Sequence, residues 1–144
     1  MSDGNAVMER FIVDQLAEHY ELNGFVTPAN DPPDFYLYSD SKTMFIGEIK
    51  TRTKFFEDWF IEDKKLEMLQ DGSRYFRCVP IYVIYCRPNE TTYLLNLTDD
   101  YDYELGSQGY FNKEESGRYV HLKYWERITP IQSFKGGMSS LDWK

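Results

Sequence analysis

The sequence predicts an α/β domain of αβββαβ type, with a mixed central sheet flanked by helices. Residues 6–22 carry apolar side chains at the 3.6-residue spacing of an amphipathic helix. Residues 35–38 and 44–49 are two short apolar and aromatic runs on either side of a polar turn, which is typical of a β-hairpin. Residues 78–86 are almost continuously apolar, as expected for a central strand that is buried on both faces.

The composition is that of one folded domain. The chain has 144 residues, of which 42 % are hydrophobic and 17 % aromatic, which is enough for a real core. No shift in composition marks a domain boundary, so we expect a single domain over residues 1–144.

Several absences indicate where the protein works. No apolar run approaches the roughly 20 residues that span a bilayer, and residues 1–10 do not have the pattern of a secretion signal. Cys78 and Cys86 would lie eight residues apart on one strand, where they cannot form a disulfide. We therefore expect no membrane association and a reducing, cytoplasmic setting.

The first helix is predicted to end at Asn23-Gly24, and Phe25-Val26 then begins a short extended segment. Residues 27–33 contain three prolines, which exclude a helix and make the approach to Asp34 stiff. Asp34 therefore opens the first strand of the hairpin from a rigid connection.

The hairpin carries a small set of charged residues. Asp34 begins its first strand, whereas Glu48 and Lys50 lie near the end of its second. Side chains two positions apart on a strand share a face, so Glu48 and Lys50 point the same way. Ile49 points to the opposite face, which we assign to the core.

The register of the hairpin decides whether the two carboxylates meet. An even-length loop would pair Asp34 with Gly47 and send the aspartate to the wrong face. A three-residue loop at residues 40–42, or a bulge at Gly47, would set Asp34 opposite Glu48 with Cβ atoms about 4.5–5.5 Å apart. Carboxylates that close repel each other unless a cation lies between them, and Mg²⁺ suits one or two such ligands.

The dipeptide Pro33-Asp34, followed fourteen positions after the aspartate by Glu48-Ile49-Lys50, resembles a known signature. It is similar to the PD-(D/E)xK motif of the restriction endonuclease-like nuclease superfamily, in particular of small phage-type and junction-resolving endonucleases. The family core would cover about residues 6–98, with residues 99–144 as an added C-terminal strand region. The resemblance implies a Mg²⁺- or Mn²⁺-dependent deoxyribonuclease that hydrolyses DNA phosphodiester bonds.

The resemblance also implies roles for the hairpin residues. Asp34 and Glu48 would hold the metal ion, with the carbonyl oxygen of Ile49 as a further ligand. The ammonium of Lys50 would lie beside the attacking water or the phosphate and counter the charge that develops in the transition state.

Two helices are expected to add residues to this site. In the resembled family the first helix often supplies a glutamate, and Glu9 is our candidate because it borders the buried stripe; Asp14 and Glu18 are alternatives further toward solvent. A second helix is predicted from Phe55 or Phe56 to about residue 70, ended by residues 71–73. Related nucleases often carry a Lys or Gln there, and three residues stay open as candidates: Lys64, Lys65 and Gln70.

The C-terminal third is predicted in less detail. Residues 92–97 should pair with the central strand as a hairpin. Residues 99–117 are acidic and contain glycines, which favours an irregular loop. Residues 118–124 alternate like a strand, residues 125–128 favour a short turn of helix, and a frayed tail should begin at Gly136-Gly137.

The net charge of −8 argues against general coating of nucleic acid, although residues 42–54 carry four basic side chains and one acidic side chain. The expected partners are DNA and a divalent metal ion. The protein would act either as a homodimeric endonuclease on DNA junctions or as a small phage-type nuclease. A phage-encoded nuclease would work in the host cytoplasm. Typical resolvases are basic, so the acidity departs from that pattern. Two alternatives stay open: a catalytically idle nuclease-fold binding or assembly protein, and an acidic protein that binds a DNA-binding partner.

Overall fold

In the computed structural model, which describes residues 6–28, 32–110 and 113–128, two helices and nine strands follow one another along the chain. In order they are α1 (Ala6–Tyr20), β1 (Asn23–Val26), β2 (Phe35–Ser39), β3 (Lys42–Arg52), β4 (Asp58–Glu62), α2 (Asp63–Phe76), β5 (Val79–Cys86), β6 (Thr91–Asn96), β7 (Tyr103–Tyr110), β8 (Lys113–His121) and β9 (Glu126–Ile128). A single 3₁₀ turn, Leu122–Tyr124, connects β8 to β9.

The strands form a central sheet and a small sheet. The central sheet has six strands in the order β1-β2-β3-β5-β6-β9, in which β3 and β5 run parallel and the other neighbours are antiparallel. The small sheet has three strands in the order β4-β8-β7. The predicted α/β class, with a mixed central sheet flanked by helices, is therefore confirmed.

Both faces of the central sheet are packed. On one face, Ile12 of α1 belongs to a core that includes Ile49 and Val83. On the other face, Leu69 of α2 and Trp59 of the small sheet belong to a second core with residues of β3 and β5. Glu48 and Lys50 face the same side of the sheet as this second core. The core residue Ile46 precedes them on β3, and the two charged residues lie toward the end of the strand.

The hairpin has the register that places Asp34 beside Glu48, and it uses a bulge, which was one of the two expected devices, although the bulge lies at Met44 and not at Gly47. The turn is the two-residue loop Asp40-Ser41, with Asp40 in the left-handed region, so the predicted three-residue loop is wrong. The pairing shifts between Leu37 and Tyr38, where β3 contains one extra residue, Met44. This bulge makes the one-residue correction, because Phe35 then pairs with Gly47.

The predicted helix from Phe55 or Phe56 to about residue 70 is wrong at both ends. Residues 58–62 form strand β4, in which Trp59 and Ile61 are buried by pairing with β8. The helix begins only at Asp63 and continues through Gly72 to Phe76, where Arg77 ends it in the left-handed conformation. Burial in the small sheet, which no local pattern reveals, overrides the helical spacing of this segment.

The C-terminal predictions need two corrections. Residues 99–117 were expected to be an irregular loop, yet β7 and the first part of β8 form a long antiparallel hairpin there. Residues 126–128 form strand β9 at the edge of the central sheet, where a turn of helix was expected. The predicted pairing of residues 92–97 with the central strand is confirmed by the β5–β6 ladder. The predicted tail from Gly136 lies outside the described residues.

The state of the two cysteines and the character of the two helices also bear on the predictions. Cys78 and Cys86 are free thiols, as the sequence predicted. Neither described helix has both the length and the apolar character needed to cross a membrane.

Candidate active site

Asp34 is fixed by backbone hydrogen bonds on both sides. Its amide donates to the carbonyl oxygen of Gly47 at 3.0 Å, and its own carbonyl oxygen accepts from the amide of Thr27 at 2.9 Å. The side chain is fixed as well, because Oδ2 accepts a hydrogen bond of 2.9 Å from the amide of Ile49. The carboxylate is thus held directly against the Glu48–Ile49 segment of β3.

Gly47 allows this close approach. A Cβ atom at this position would collide with the ring of Phe35 and would lie 3.1 Å from Cγ1 of Ile81. The glycine therefore lets the Phe35 ring lie across β3, immediately before Glu48. The hairpin bulge and this glycine together bring Asp34 and Glu48 to one place.

Glu48 is a buried carboxylate with no hydrogen bond. Its exposed fraction is 0 %, and among the described residues neither Oε1 nor Oε2 has a hydrogen-bond partner. Burial raises its pKa above the usual value, and the nearby Asp34 raises it further, whereas Lys50 and Lys65 act in the opposite direction. Buried carboxylates normally have partners, so these two oxygens indicate a site for a cation.

Two lysines lie close to Glu48. Lys50 Nζ is 3.5 Å from Glu48 Oε2, and Lys65 Nζ is 3.4 Å from the same oxygen. The structure therefore brings Lys65, of the three candidates on α2, into contact with Glu48. Lys64 lines the neighbouring cleft, and Gln70 lies more than a helical turn further along α2.

Glu62 is a site residue that the sequence did not predict. It ends β4, and its Oε2 lies 3.4 Å from Lys50 Nζ, while Oε1 accepts a hydrogen bond of 2.6 Å from the hydroxyl of Tyr82. Burial alone would raise its pKa, but the Lys50 charge and the Tyr82 hydrogen bond outweigh burial and lower it. The sequence predicts a helix that includes residues 58–62. Only a strand prediction for these residues would place Glu62 at a strand end beside the site.

Glu9 lies near enough to the hairpin carboxylates to interact with them. Its pKa is raised, chiefly by burial and then by the charges of Asp34 and Glu48. Asp14, one of the alternatives, forms an ion pair of 2.9 Å with Arg10 instead. Within residues 6–28, 32–110 and 113–128, however, no three His, Cys, Asp or Glu side chains lie close enough to form a metal-binding group.

The charges of the site fit a divalent cation. Four carboxylates and two ammonium groups lie at this site, which gives an excess of two negative charges when all six are ionised; the carboxylates are Glu9, Asp34, Glu48 and Glu62 and the ammonium groups are Lys50 and Lys65. Mg²⁺ commonly takes one or two protein carboxylates and keeps several waters, so it does not require a third protein carboxylate. The donor set of Asp34 and Glu48 is therefore suitable for Mg²⁺ or Mn²⁺.

A cleft of about 520 Å³ opens beside these residues. It is lined by the end of β3 from Ile49 to Arg52, by Phe60 and Glu62 of β4, by Lys64 and Lys65 at the start of α2, and by the β7–β8 hairpin. Lys50, Glu62 and Lys65 line it, so these three charged side chains are reachable from solvent through the cleft.

Comparisons with known proteins give a structural likeness only. No protein-family model and no curated protein match the sequence. The structure of Archaeoglobus fulgidus Hjc, a Holliday junction resolvase from an archaeal hyperthermophile, aligns with a TM-score of 0.56 at 14 % sequence identity, over 85 % of this chain and 97 % of the resolvase. The likeness shows a shared α/β fold with this resolvase.

Proposed function

We propose that the protein is a metal-dependent DNA endonuclease that hydrolyses phosphodiester bonds. The observation that carries the proposal is Glu48, a buried carboxylate without hydrogen bonds that lies beside Asp34 and two lysines. A buried group of this kind destabilises the fold, so its contact with Lys50 and Lys65, which both line an open cleft, points to function. Fold likeness to a Holliday junction resolvase supports DNA as the substrate.

Asp34 and Glu48 would hold the divalent ion, with the Ile49 carbonyl oxygen and Glu9 as further ligands. A metal ion bound there supplies polarisation of a phosphate oxygen and lowers the pKa of a bound water. Asp34 is pre-oriented for this role by the Ile49 amide, and Glu48 is pre-oriented by its complete burial.

Lys50 stabilises the negative charge that grows on the phosphate as the bond breaks. Its ammonium is held between Glu48 and Glu62 at 3.5 and 3.4 Å, at the margin of the cleft. A charge that is positioned before the reaction begins lowers the barrier without reorganisation. Glu62 acts through Lys50 as a positioning residue, and the Tyr82 hydroxyl fixes Glu62.

Lys65 is suited to binding the same phosphate from α2, whereas Lys50 contacts it from β3. It approaches Glu48 at 3.4 Å from the first turns of α2 and is about one-third exposed at 36 %. A phosphate that enters the cleft would therefore meet Lys65 and Lys50 together. The two ammonium groups give the negatively charged substrate two positive contacts on a chain whose net charge is −8.

Calorimetric titration with Mg²⁺ and Mn²⁺, followed by a cleavage screen, tests the proposal. The screen uses duplex, single-stranded, flap and four-way DNA of one sequence, with Glu48→Gln as the inactive control. Cleavage by the wild type that requires the metal and is lost in Glu48→Gln supports the function. If the wild type cuts none of the four substrates with either metal, the nuclease proposal fails and the idle binding protein becomes the better interpretation.

A further inference from the structure

We propose that the cleft accepts an unpaired DNA strand, whose bases stack on Phe55 and Phe56, which follow the end of β3 that lines the cleft. The inference rests on the proposed nuclease function and specifies its substrate: DNA that is single-stranded, or frayed or branched, at the scissile phosphate. Three features support the inference: the size of the cleft, the negative charge where the β7–β8 hairpin lines it, and a pair of exposed aromatic rings.

Two further elements line the cleft besides the strands β3 and β4. Lys64 and Lys65 belong to α2, and Gln108, Gly109 and Glu115 belong to the β7–β8 hairpin. Its volume of about 520 Å³ is within the range of pockets that hold one small ligand, which suits one nucleotide unit. We therefore expect the scissile strand to be separated from its complement where it enters the cleft beside Lys50.

The part of the cleft that the β7–β8 hairpin lines, which we call the hairpin wall, carries negative charge. Glu115 is the charged residue of this wall that lines the cleft. Duplex DNA carries one negative charge per roughly 1.7 Å of helix axis, so a second backbone would be repelled by this wall. A single strand can keep its phosphates on the lysine side and avoid that repulsion.

The exposed aromatic pair follows the catalytic strand directly. Phe55 and Phe56 are 45 % and 47 % exposed, although each packs edge-on against the buried Trp59, with centroid distances of 6.5 and 5.6 Å. Arg52 lines the cleft, and Phe55 follows it by three residues, within about 11 Å along an extended chain. A strand that leaves the cleft therefore reaches these rings within a few nucleotides.

The surroundings of the two rings suit a nucleic-acid strand. Between the cleft and the rings the chain offers Arg52 and Lys54, without an acidic residue from Thr51 to Phe56. Stacking of bases on aromatic side chains combined with a basic track is the usual way to hold unpaired strands without reading their sequence. Phe55 and Phe56 would therefore bind bases, while Arg52 and Lys54 contact the backbone.

The test compares binding of one labelled oligonucleotide, unpaired or annealed to its complement, in Ca²⁺ by fluorescence anisotropy. The wild type should bind the unpaired strand more tightly. The double variant Phe55→Leu with Phe56→Leu keeps an apolar cover over Trp59 but removes both ring faces, so it should bind the unpaired strand about tenfold more weakly at an unchanged melting temperature. Phe25→Ala, an equally exposed phenylalanine on edge strand β1, is the control and should bind as the wild type.

A second pair of variants tests the wall. Glu115→Gln should raise affinity for the duplex more than for the unpaired strand. Glu114→Gln should leave that ratio unchanged, because Glu114 does not line the cleft and is hydrogen-bonded by Ser107. Equal affinity for both DNA forms, together with full binding by the Phe55 and Phe56 double variant, overturns the inference.

Cleavage with Mg²⁺ separates this inference from the proposed function. Faster cutting of unpaired and flap DNA than of the paired duplex supports both. Cutting of the duplex at least as fast as the unpaired strand overturns the inference and leaves the nuclease standing. If no DNA is cut, the nuclease proposal fails. Selective binding of the unpaired strand that depends on Phe55 and Phe56 would still support an unpaired-strand site. If that selective binding is absent as well, the site is overturned too.

Discussion

The ammonium of Lys50 lies 3.4 Å from Oε2 of Glu62, and this contact joins the central sheet to the small sheet at the candidate site. Both side chains are largely buried, at 20 % and 14 % exposure, so the pair is weakly screened by water. Tyr82, whose pKa is raised well above normal by burial and by Glu62, remains protonated and donates to the glutamate. The small sheet therefore contributes directly to the position of Lys50.

Removal of the paired carboxylates should stabilise the protein without metal. Burial and mutual repulsion raise the pKa of Glu48, so at neutral pH the ionised pair opposes folding. Asp34→Asn with Glu48→Gln should melt at a higher temperature than the wild type in chelator. Millimolar Mg²⁺ or Mn²⁺ should raise the melting temperature of the wild type and leave the double variant unchanged. An equal metal response in both proteins, measured by calorimetry, would contradict the site.

Lys50→Ala should impair chemistry and leave binding intact. Loss of one preorganised electrostatic group commonly lowers the rate about 10²–10³-fold. We expect a decrease of that size under single-turnover conditions, with DNA affinity in Ca²⁺ nearly unchanged because one phosphate contact is a small part of the total. Cleavage by Lys50→Ala at the wild-type rate would remove Lys50 from the mechanism.

Glu62→Gln should lower the cleavage rate through Lys50. The glutamine can still accept the Tyr82 hydrogen bond but cannot hold the ammonium by charge, and a displacement of about 1 Å can cost up to roughly 10² in rate. We expect a loss of about tenfold or more at unchanged DNA affinity. The same substitution made in Lys50→Ala should have no further effect, and an additive loss would show that Glu62 acts independently.

The stabilising effect of Glu62 should depend on pH in a defined direction. Its pKa is lowered below 4.5 because the Lys50 charge and the Tyr82 hydrogen bond outweigh burial. A lowered carboxyl pKa contributes stability above the unfolded value, and that stability is lost as pH falls through the folded value. Glu62→Gln should therefore melt below the wild type at pH 7, and the difference should shrink as pH falls below 4.5. A constant difference across this range would contradict the assignment.

Gly47→Ala should destabilise the fold and disturb the metal site. The added methyl group would collide with the Phe35 ring beside Glu48, and overpacking of this kind typically costs about 1–3 kcal/mol. Gly109→Ala is the matched control, since its Cβ would meet nothing nearer than the Lys113 carbonyl oxygen at 4.0 Å. Chemical denaturation measures both, and equal stability of the two variants would show that Gly47 is not required for the close approach.

Much of the central sheet could be predicted because its signals are local. The spacing of apolar residues in α1 and the continuous apolar run of β5 follow directly from burial on one face or on two. The motif residues Asp34, Glu48 and Lys50 were also identified from sequence, and the structure brings them together. Their catalytic and metal-binding roles stay predictions.

The remainder depends on contacts between distant segments. Residues 58–62 become a strand only because β8, more than fifty residues later, pairs with them and buries Trp59. Glu62 consequently could not be recognised, since its partners Lys50 and Tyr82 come from two other strands. β8 also pairs with β7, and the hairpin that these two strands form lines part of the cleft.

The sequence by itself determined the α/β class, the charged ends of the central hairpin and the requirement that Asp34 share a face with Glu48. Only the tertiary structure decided how that requirement is met, with the bulge at Met44 and the close approach at Gly47, and which further charges surround Glu48. The physical reason is that side-chain periodicity is a property of one segment. Burial and the pairing of charges are set by what other segments place beside it.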